Sequence, residues 1–324
     1  MSERDHDRAL DLYRRMLRIR LAEEGIVRHY AEQEMRCPVH LHIGQEAVSA
    51  GVCAHVEAGT DRVFGSHRCH GPYLALGGSL EGFFGELHGK ESGCCRGRGG
   101  SMHLIDKKVG FWGSSAIVAG TIPIAVGAGM AIRHRGERGV SIVFFGDGAV
   151  DEGVFSESVA FAALKQLPVL FVCENNLYAT LSPQGVRQAL DNIPQRAEAL
   201  GCPGVRVDGN DANAVHEIVR VAAERAREGR GPTLIEARTY RWYAHVGPAP
   251  DTGNGARSTE ELERWRARCP IARLEREWSE VGQRYPELAA VRASIELEVS
   301  AAIDHARRAP EPSVEAFLSE ARAM

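Results

Sequence analysis

Two short polar motifs, each placed directly after an apolar run, constrain the fold of this sequence more than any other feature. Gly-Asp-Gly at 146–148 follows the β-branched and aromatic run 142–145, and Asn-Asn at 175–176 follows a similar run at 169–172. Between the motifs, apolar residues recur at helical spacing over 154–164. Strand, tight turn, helix and strand in this order predict one βαβ unit of a parallel sheet.

The predicted unit brings the two motifs together, because parallel strands deliver their carboxyl ends to the same edge of a sheet. Asp147 and Asn176 are therefore expected to be neighbours. Glycines on both sides of Asp147 allow a sharp turn and a close approach to a ligand, and the helix that follows offers its N-terminal amides to an anion. Carboxylate, amide and carbonyl oxygens beside a diphosphate suit Mg²⁺. Alone, Gly-Asp-Gly is usually a turn and Asn-Asn a strand end; together they indicate a metal–diphosphate clamp.

Composition and charge exclude several classes of protein. The chain has 324 residues, a formal net charge of −4 and a sequence pI near 6.4, which gives no support to nucleic-acid binding. Eight cysteines without a CxxC pair favour a reduced, cytoplasmic protein over a disulfide framework or zinc site. The N-terminus has no apolar signal region. The uncharged stretch 109–132 contains too many glycines for a membrane span, and we expect a loop and then a small-residue helix buried in the core.

Further motifs carry groups that suit an anionic ligand. The loop FGSHRCHG at 64–71 places Arg68 between two histidines, where its guanidinium could bind phosphate through two parallel hydrogen bonds. A glycine-rich segment at 93–100 is too flexible for a helix or strand and predicts a loop. His245 follows a predicted buried strand at 232–237 and could donate a hydrogen bond or a proton. Each of these could also be a surface turn or a loop histidine without a function.

The motifs taken together resemble those of one family. The spacing of Gly-Asp-Gly and Asn-Asn resembles the thiamine diphosphate motif. Several strings resemble the alpha subunits of 2-oxo acid dehydrogenase E1 components of the pyruvate and acetoin type: GQEA at 44–47, HRCH at 67–70, GRGGSMH at 97–103, RVDGND at 206–211 and TYRWYAH at 239–245.

The resemblance implies a thiamine diphosphate-binding fold, an α/β fold with a doubly wound parallel sheet and helices on both faces. It covers nearly the whole chain, so 1–324 is expected to form a single E1 alpha-type domain. Residues 1–40 are expected to form an N-terminal helical extension, and 255–324 a C-terminal helical region that packs on a partner subunit.

The resemblance also implies roles for individual residues. Mg²⁺ is expected to bind Asp147, Asn176 and the backbone oxygen of Tyr178. His245 and His70 are the candidate catalytic residues. The expected cofactor-binding residues are His67, Arg68, Ala116, Val118, Gly146, Asp147, Gly148, Ala149, Asn176, Tyr178 and His245.

Five positions need a separate comment. Ser101 and His103 are expected to have a structural role near the active-site entrance. Ala116 stands where the family has glycine, so the shape of the pocket is expected to differ there. Arg187 is a further candidate for contact with the cofactor phosphate, without a secure alignment. Val246 replaces the serine that is phosphorylated in regulated mitochondrial relatives, which implies that this switch is absent.

The implied function is the alpha subunit of an α2β2 oxidoreductase that depends on thiamine diphosphate and Mg²⁺. It would decarboxylate a 2-oxo acid or cleave acetoin, and transfer the acyl unit to a lipoyl acyltransferase. A beta-type subunit is expected to supply the glutamate that activates the cofactor. Two alternatives stay open: a carboligase of the acyloin synthase or transketolase type without a lipoyl partner, and a non-catalytic scaffold subunit.

Overall fold

The computed structural model describes residues 3–253, 255–280 and 287–323 and contains a six-stranded parallel sheet. Its strands lie in the order β2-β1-β3-β4-β8-β7, and β5 and β6 form a separate antiparallel pair. The strands span β1 Arg62–Gly65, β2 Phe111–Ser114, β3 Ser141–Gly146, β4 Val169–Asn175, β5 Tyr178–Ala179, β6 Ser182–Pro183, β7 Gly204–Asp208 and β8 Thr233–Arg238.

Helices cover both faces of this sheet. They span α1 Glu3–His29, α2 Glu46–Cys53, α3 His70–Ala75, α4 Leu80–Leu87, α5 Thr121–His134, α6 Gly153–Leu164, α7 Gln184–Arg187, α8 Ile193–Glu198, α9 Ala212–Arg227, α10 Thr259–Arg266, α11 Pro270–Glu280, α12 Glu287–Arg308 and α13 Val314–Ala323. Short 3₁₀ turns cover Tyr30–Glu32, Gly100–Met102, Lys107–Val109 and Asp147–Asp151. In the described ranges, no helix combines the length and the apolarity that a membrane crossing needs.

The central βαβ unit is confirmed, with β3, α6 and β4 in the predicted order and β3 paired in parallel with β4. Alternate residues of these strands enter two different hydrophobic cores. Ile142 and Phe144 of β3 point into one core, and Val143 and Phe145 point into the other. Since successive side chains of a strand point to opposite faces, a strand that is apolar at every position must be covered on both sides. The predicted α/β class with helices on both faces is therefore confirmed.

The larger core lies under α1, α2, α9, α11 and α12, and the smaller under α5, α6 and α8. The segment 255–280 together with α12 thus packs on this chain's own α1, through residues such as Trp278 and Ile303. Packing of the same region on a partner subunit stays a prediction, as do the predicted domain boundaries.

The prediction for the uncharged stretch 109–132 was wrong in one respect. A loop and a small-residue helix are present, but α5 is not fully buried: Ile124 is 56% exposed and Met130 is 50% exposed. The face of the helix that carries Ile122 and Val126 packs into the smaller core, while its other face lacks a cover within the described chain. Absence of charge did not distinguish a buried helix from one with an exposed apolar face.

Candidate functional site

A cavity of about 440 Å³ lies at the carboxyl edge of β1, β3 and β4. In open parallel sheets this edge is the usual place for a ligand. Every residue that the sequence predicted to bind the cofactor lines it: His67, Arg68, Ala116, Val118, Gly146, Asp147, Gly148, Ala149, Asn176, Tyr178 and His245. Arg187, the further candidate for contact with the cofactor phosphate, lines it as well. The structure also brings to this cavity residues that the sequence reasoning had not assigned there, among them His40, Gln45, Asp151, Glu152 and Glu174.

The Gly-Asp-Gly turn presents a buried carboxylate to the cavity. Asp147 is only 1% exposed, and burial raises the pKa of its carboxyl group although the nearby Arg187 opposes this shift. A Cβ placed on Gly146 would meet nothing within 4 Å, so the backbone there faces open space. A Cβ on Gly148 would lie 2.8 Å from the Cβ of Ala179. The first glycine thus leaves room for a ligand, and the second lets β5 approach the turn closely.

Asn175, the last residue of β4, and Asn176, which follows it, have different surroundings. Asn175 donates through Nδ2 to Glu236 Oε1 at 2.7 Å, which ties β4 to β8 away from the cavity. Asn176 lines the cavity and accepts a hydrogen bond from the backbone N–H of Tyr178 at 3.3 Å. The Tyr178 hydroxyl donates to Glu261 Oε2 at 2.8 Å. The alternation of the strand therefore explains why the second asparagine, and not the first, faces the cavity.

Gln45 fixes the orientation of the Asn176 amide. Asn176 Nδ2 donates to Gln45 Oε1 at 3.0 Å, so that the Asn176 oxygen points away from Gln45. Gln45 is fully buried at the start of α2, and its own Nε2 has no hydrogen-bond partner within the described residues. Because a buried donor without a partner is unfavourable, this amide is suited to donate to a ligand in the cavity.

Arg68 and three histidines form the opposite wall. Arg68 is 4% exposed and donates through Nη1 to the carbonyl of Leu41 at 2.5 Å. The imidazoles of His40, His67 and His245 lie with ring centroids 4.8 to 5.1 Å apart. Burial, reinforced by the charge of Arg68, lowers the pKa of His67 to about 3 and that of His245 to about 4. The three rings are therefore neutral at pH 7, and Arg68 is the cation of this wall.

Glu174 is a buried acid that the sequence reasoning had not identified as a site residue. It is 2% exposed, and burial raises its pKa to about 8 despite the opposing charge of Arg68. Its Oε1 lies 3.3 Å from Nε2 of His42 but has no hydrogen bond among the described groups. A carboxyl group near the end of a buried strand, two residues before Asn176, was the available signal, and the sequence analysis assigned it no role.

Arg187 occupies the side of the cavity that carries the Asp147 carboxylate. Its guanidinium forms ion pairs with Asp147 and Asp151, and the Nε2 of Gln188 donates to Asp151 Oδ1 at 2.9 Å. The helix predicted over 154–164 is present as α6, Gly153–Leu164. A 3₁₀ turn covers 147–151 and inserts two acidic residues, Asp151 and Glu152, before α6 begins.

His70 does not line the cavity. It is fully buried, its Nδ1 lies 2.9 Å from Glu23 Oε1, and its Nε2 lies 2.7 Å from Ser101 Oγ. Both ring nitrogens are thus engaged with protein groups. These contacts fit a residue that holds the loop containing Ser101. The predicted catalytic role of His70 stays a prediction, and the engagement of both ring nitrogens does not favour it.

The segment after β2 forms the rim of the cavity. Ala116 and Val118 line it, whereas the side chain of Ile117 is 69% exposed. The N–H of Ala116 lies 3.5 Å from His103 Nε2, a contact that links the rim to the glycine-rich loop. Ala119 adopts a left-handed conformation with φ 60°, which directs the chain from this rim into α5.

Comparison with known proteins identifies relatives over nearly the whole chain. The family model of the dehydrogenase E1 component matches residues 14–315. The alpha subunit of acetoin:2,6-dichlorophenolindophenol oxidoreductase from Bacillus subtilis is 44% identical over 239 residues, which are 74% of this chain and 72% of the relative. The pyruvate dehydrogenase E1 component subunit alpha from Porphyra purpurea is 38% identical over 314 residues, 94% and 90% of the two chains. The acetoin oxidoreductase subunit alpha from Cupriavidus necator is 37% identical over 324 residues, 98% and 94%.

Proposed function

Since this chain belongs to the dehydrogenase E1 component family, a family of oxidoreductases, we propose that it is the alpha subunit of a thiamine diphosphate- and Mg²⁺-dependent enzyme. Its substrate would be a 2-oxo acid or acetoin, the two classes that the names of its relatives indicate. The observation that carries the proposal is the convergence of the predicted metal-binding and diphosphate-binding residues on one cavity.

The side of the cavity that contains Asp147, Asn176 and Tyr178, called the metal side below, supports this proposal through its oxygen donors. The carboxylate of Asp147, the amide oxygen of Asn176 and the carbonyl of Tyr178 are hard ligands of the kind that Mg²⁺ selects. The Asn176 amide is held by Gln45 so that its nitrogen does not compete for the site. Because the buried Asp147 has a raised pKa, a cation beside it would also stabilise its ionised form.

The opposite side of the cavity supports the binding of a diphosphate. Arg68 offers a buried positive charge, and the neutral ring of His67 stands beside it. His40 Nδ1 and Gln45 Nε2 are buried atoms without a hydrogen-bond partner in the described structure, and both residues line the cavity. Polar oxygens of a bound cofactor would satisfy the donor on Gln45 and, in the appropriate tautomer, the ring nitrogen of His40.

Thiamine diphosphate, when bound, supplies the electron sink that allows a bond to the carbonyl carbon of the substrate to break. The residues of this chain would hold and orient it and exclude water. His245 remains neutral at pH 7, so that its ring can donate a hydrogen bond from one nitrogen and accept at the other. It therefore suits the transfer or stabilisation of a proton near the substrate, the role expected for it.

A beta-type partner is expected to complete the site. Glu174 is an acid of raised pKa that lines the cavity, but it precedes Asn176 by two residues and lies on the metal side. The glutamate that activates the cofactor is therefore still expected from the partner. The exposed apolar side chains of Ile117, Val118 and Ile124 lie on and just after the cavity rim and give a partner a surface to cover.

The proposal is tested by removing the carboxylate of Asp147. In the assembled alpha–beta enzyme, Asp147→Ala is expected to weaken Mg²⁺-dependent thiamine diphosphate binding by more than about 100-fold, because loss of mere outer-shell partners already lowers metal affinity 10–100-fold. Asp304→Ala, on the exposed surface of α12, is the matched control. Calorimetric titration with and without Mg²⁺ measures both; unchanged affinity in Asp147→Ala would remove the proposed clamp.

The acyl acceptor distinguishes the proposed dehydrogenase from a carboligase. We propose a lipoyl acyltransferase as the acceptor, because relatives over 94% of this chain are pyruvate dehydrogenase E1 subunits. Reductive acylation of an isolated lipoyl domain by the alpha–beta enzyme measures this step. Formation of acyloin from added aldehyde, without acylation of the lipoyl domain, would support the carboligase instead.

A further inference from the structure

Cys94 and Cys95 form a pair of adjacent thiols on the glycine-rich loop, outside the residues that line the cofactor cavity. Their sulfur atoms and a carboxylate oxygen of Glu86 lie within 4.8 Å of one another. Both cysteines are partly accessible to solvent, whereas Cys53, Cys69, Cys173 and Cys202 are buried. The two sulfur atoms are therefore close enough to bind the same acceptor atom, whereas an isolated cysteine offers only one sulfur.

The carboxylate of Glu86 is committed to the backbone and is not a third ligand. Its Oε2 accepts the N–H groups of Cys95 at 2.7 Å and Gly97 at 3.0 Å, and its Oε1 accepts those of Gly99 at 2.6 Å and Gly100 at 3.0 Å. Four hydrogen bonds use the acceptor positions of a carboxylate. They also hold the loop in one conformation, so that the two thiols are presented by an ordered backbone.

The two thiols differ in acidity. The hydrogen bond from Cys94 lowers the pKa of Cys95, while the same hydrogen bond and burial raise the pKa of Cys94. One thiol thus forms a thiolate more readily and stays next to a second thiol that is still protonated. Because the thiolate is the form that attacks and that ligates metals, the pair is arranged for two successive bonds to one acceptor.

We propose that Cys94 and Cys95 form a chelating site for trivalent arsenicals, a class of soft, thiophilic acceptor that bonds two sulfurs at once. With phenylarsine oxide the step is balanced: two arsenic–sulfur bonds form, and the arsenic-bound oxygen leaves as water with the two thiol protons. No oxidant or reductant is needed. This site goes beyond the proposed function and does not depend on it.

Mass spectrometry of the alpha chain from the assembled alpha–beta enzyme tests the site, with phenylarsine oxide as the probe. We expect one arsenical per alpha chain at the peptide that contains both cysteines, retained in excess monothiol and released by a dithiol. Cys94→Ser and Cys95→Ser should each weaken retention by roughly 10²–10⁴-fold, the gain that linking two binding events provides. Cys269→Ala removes a solitary, partly accessible thiol and should leave retention unchanged.

Two results would overturn the proposal: equal retention by the natural chain and Cys95→Ser, or loss of retention in Cys269→Ala. If Cys94→Ser fails to assemble because Cys94 also packs beside Gly82, Cys95→Ser alone decides, since both sulfurs are required. Thiamine diphosphate binding by the same samples is a separate measurement, so failure of the thiol site leaves the proposed function untouched.

Discussion

Replacing Gln45 by alanine should selectively weaken Mg²⁺ binding, because Gln45 orients Asn176, a proposed metal ligand, without being a proposed ligand itself. In the natural chain, Asn176 Nδ2 donates to Gln45 Oε1 at 3.0 Å. The amide is buried, with Asn176 only 6% exposed. Without this acceptor, only the 3.3 Å hydrogen bond from the backbone N–H of Tyr178 to the Asn176 oxygen still favours the present orientation of the amide over the flipped one.

The size of the effect follows from what is lost. Partners behind a metal ligand are typically worth 10–100-fold in affinity, or about 1.4 kcal/mol for each tenfold. A buried Nδ2 left without an acceptor also destabilises the fold by roughly 1–3 kcal/mol. We therefore expect Gln45→Ala to raise the Mg²⁺ concentration needed for thiamine diphosphate binding by roughly 10–100-fold, together with a modest decrease in the free energy of unfolding. Gln45→Glu retains an acceptor, and its loss in Mg²⁺ affinity should be smaller.

Gln184→Ala provides a matched control, because Gln184 in α7 contacts Asn175, the asparagine one residue before Asn176. Gln184 Oε1 accepts from Asn175 Nδ2 at 3.2 Å, but Asn175 also donates to Glu236, and it faces away from the cavity. The assay is calorimetric titration of thiamine diphosphate into the alpha–beta enzyme over a series of Mg²⁺ concentrations. If Gln45→Ala and Gln184→Ala shift the Mg²⁺ dependence by the same factor, or neither shifts it, Gln45 does not position a metal ligand.

Two other predictions concern charge. Arg187→Met removes the guanidinium that pairs with Asp147 and Asp151. If Arg187 competes with the cation for Asp147, the apparent Mg²⁺ affinity of this variant should rise severalfold. A fall in thiamine diphosphate affinity at saturating Mg²⁺ would show that Arg187 binds the cofactor instead. The adjacent rings of His55 and His216, with centroids 4.1 Å apart and planes tilted by 46°, should make the protein acid-sensitive, because burial and the neighbouring ring lower the pKa of His216 from 6.5 to about 4. The contribution of neutral His216 to the free energy of unfolding is complete above pH 6.5 and is lost as the pH falls toward 4. In the His216→Asn variant, the melting temperature should therefore decrease less steeply over that pH range. An unchanged slope would refute His216 as the cause.

The fold was predictable from the sequence because β3 and β4 are apolar at nearly every position. Such runs are stable only when both faces of the sheet are covered, and the intervening helical pattern fixes the parallel connection. The accessibility of α5 was not predictable in the same way. Ile124 and Met130 are as apolar as buried residues, and only the absence of a packed neighbour within the described chain distinguishes them.

Several contacts that organise the site join residues that are distant in the chain, and the sequence reasoning did not foresee them. Gln45 reaches Asn176 across 131 positions, and Asp147 pairs with Arg187 across 40. No local pattern marks such partners. The catalytic role of His70 stays a prediction, and the HRCH string gives no indication that its second histidine points into the core toward Glu23 and Ser101.

From the charges around the cavity we expect the proposed cation and diphosphate to bind as one unit. The lining includes four acids, Asp147, Asp151, Glu152 and Glu174, against the two guanidinium groups of Arg68 and Arg187. Burial raises the pKa of Glu174 to about 8, so that the other three acids carry most of the negative charge at pH 7. A diphosphate alone would meet a slightly negative lining, because the neighbouring histidines are neutral. A divalent cation reverses that balance within a buried site, where a charge is screened far less than in water. Affinity for thiamine diphosphate should therefore depend steeply on Mg²⁺, and Asp147 is the group through which this dependence is expected to act.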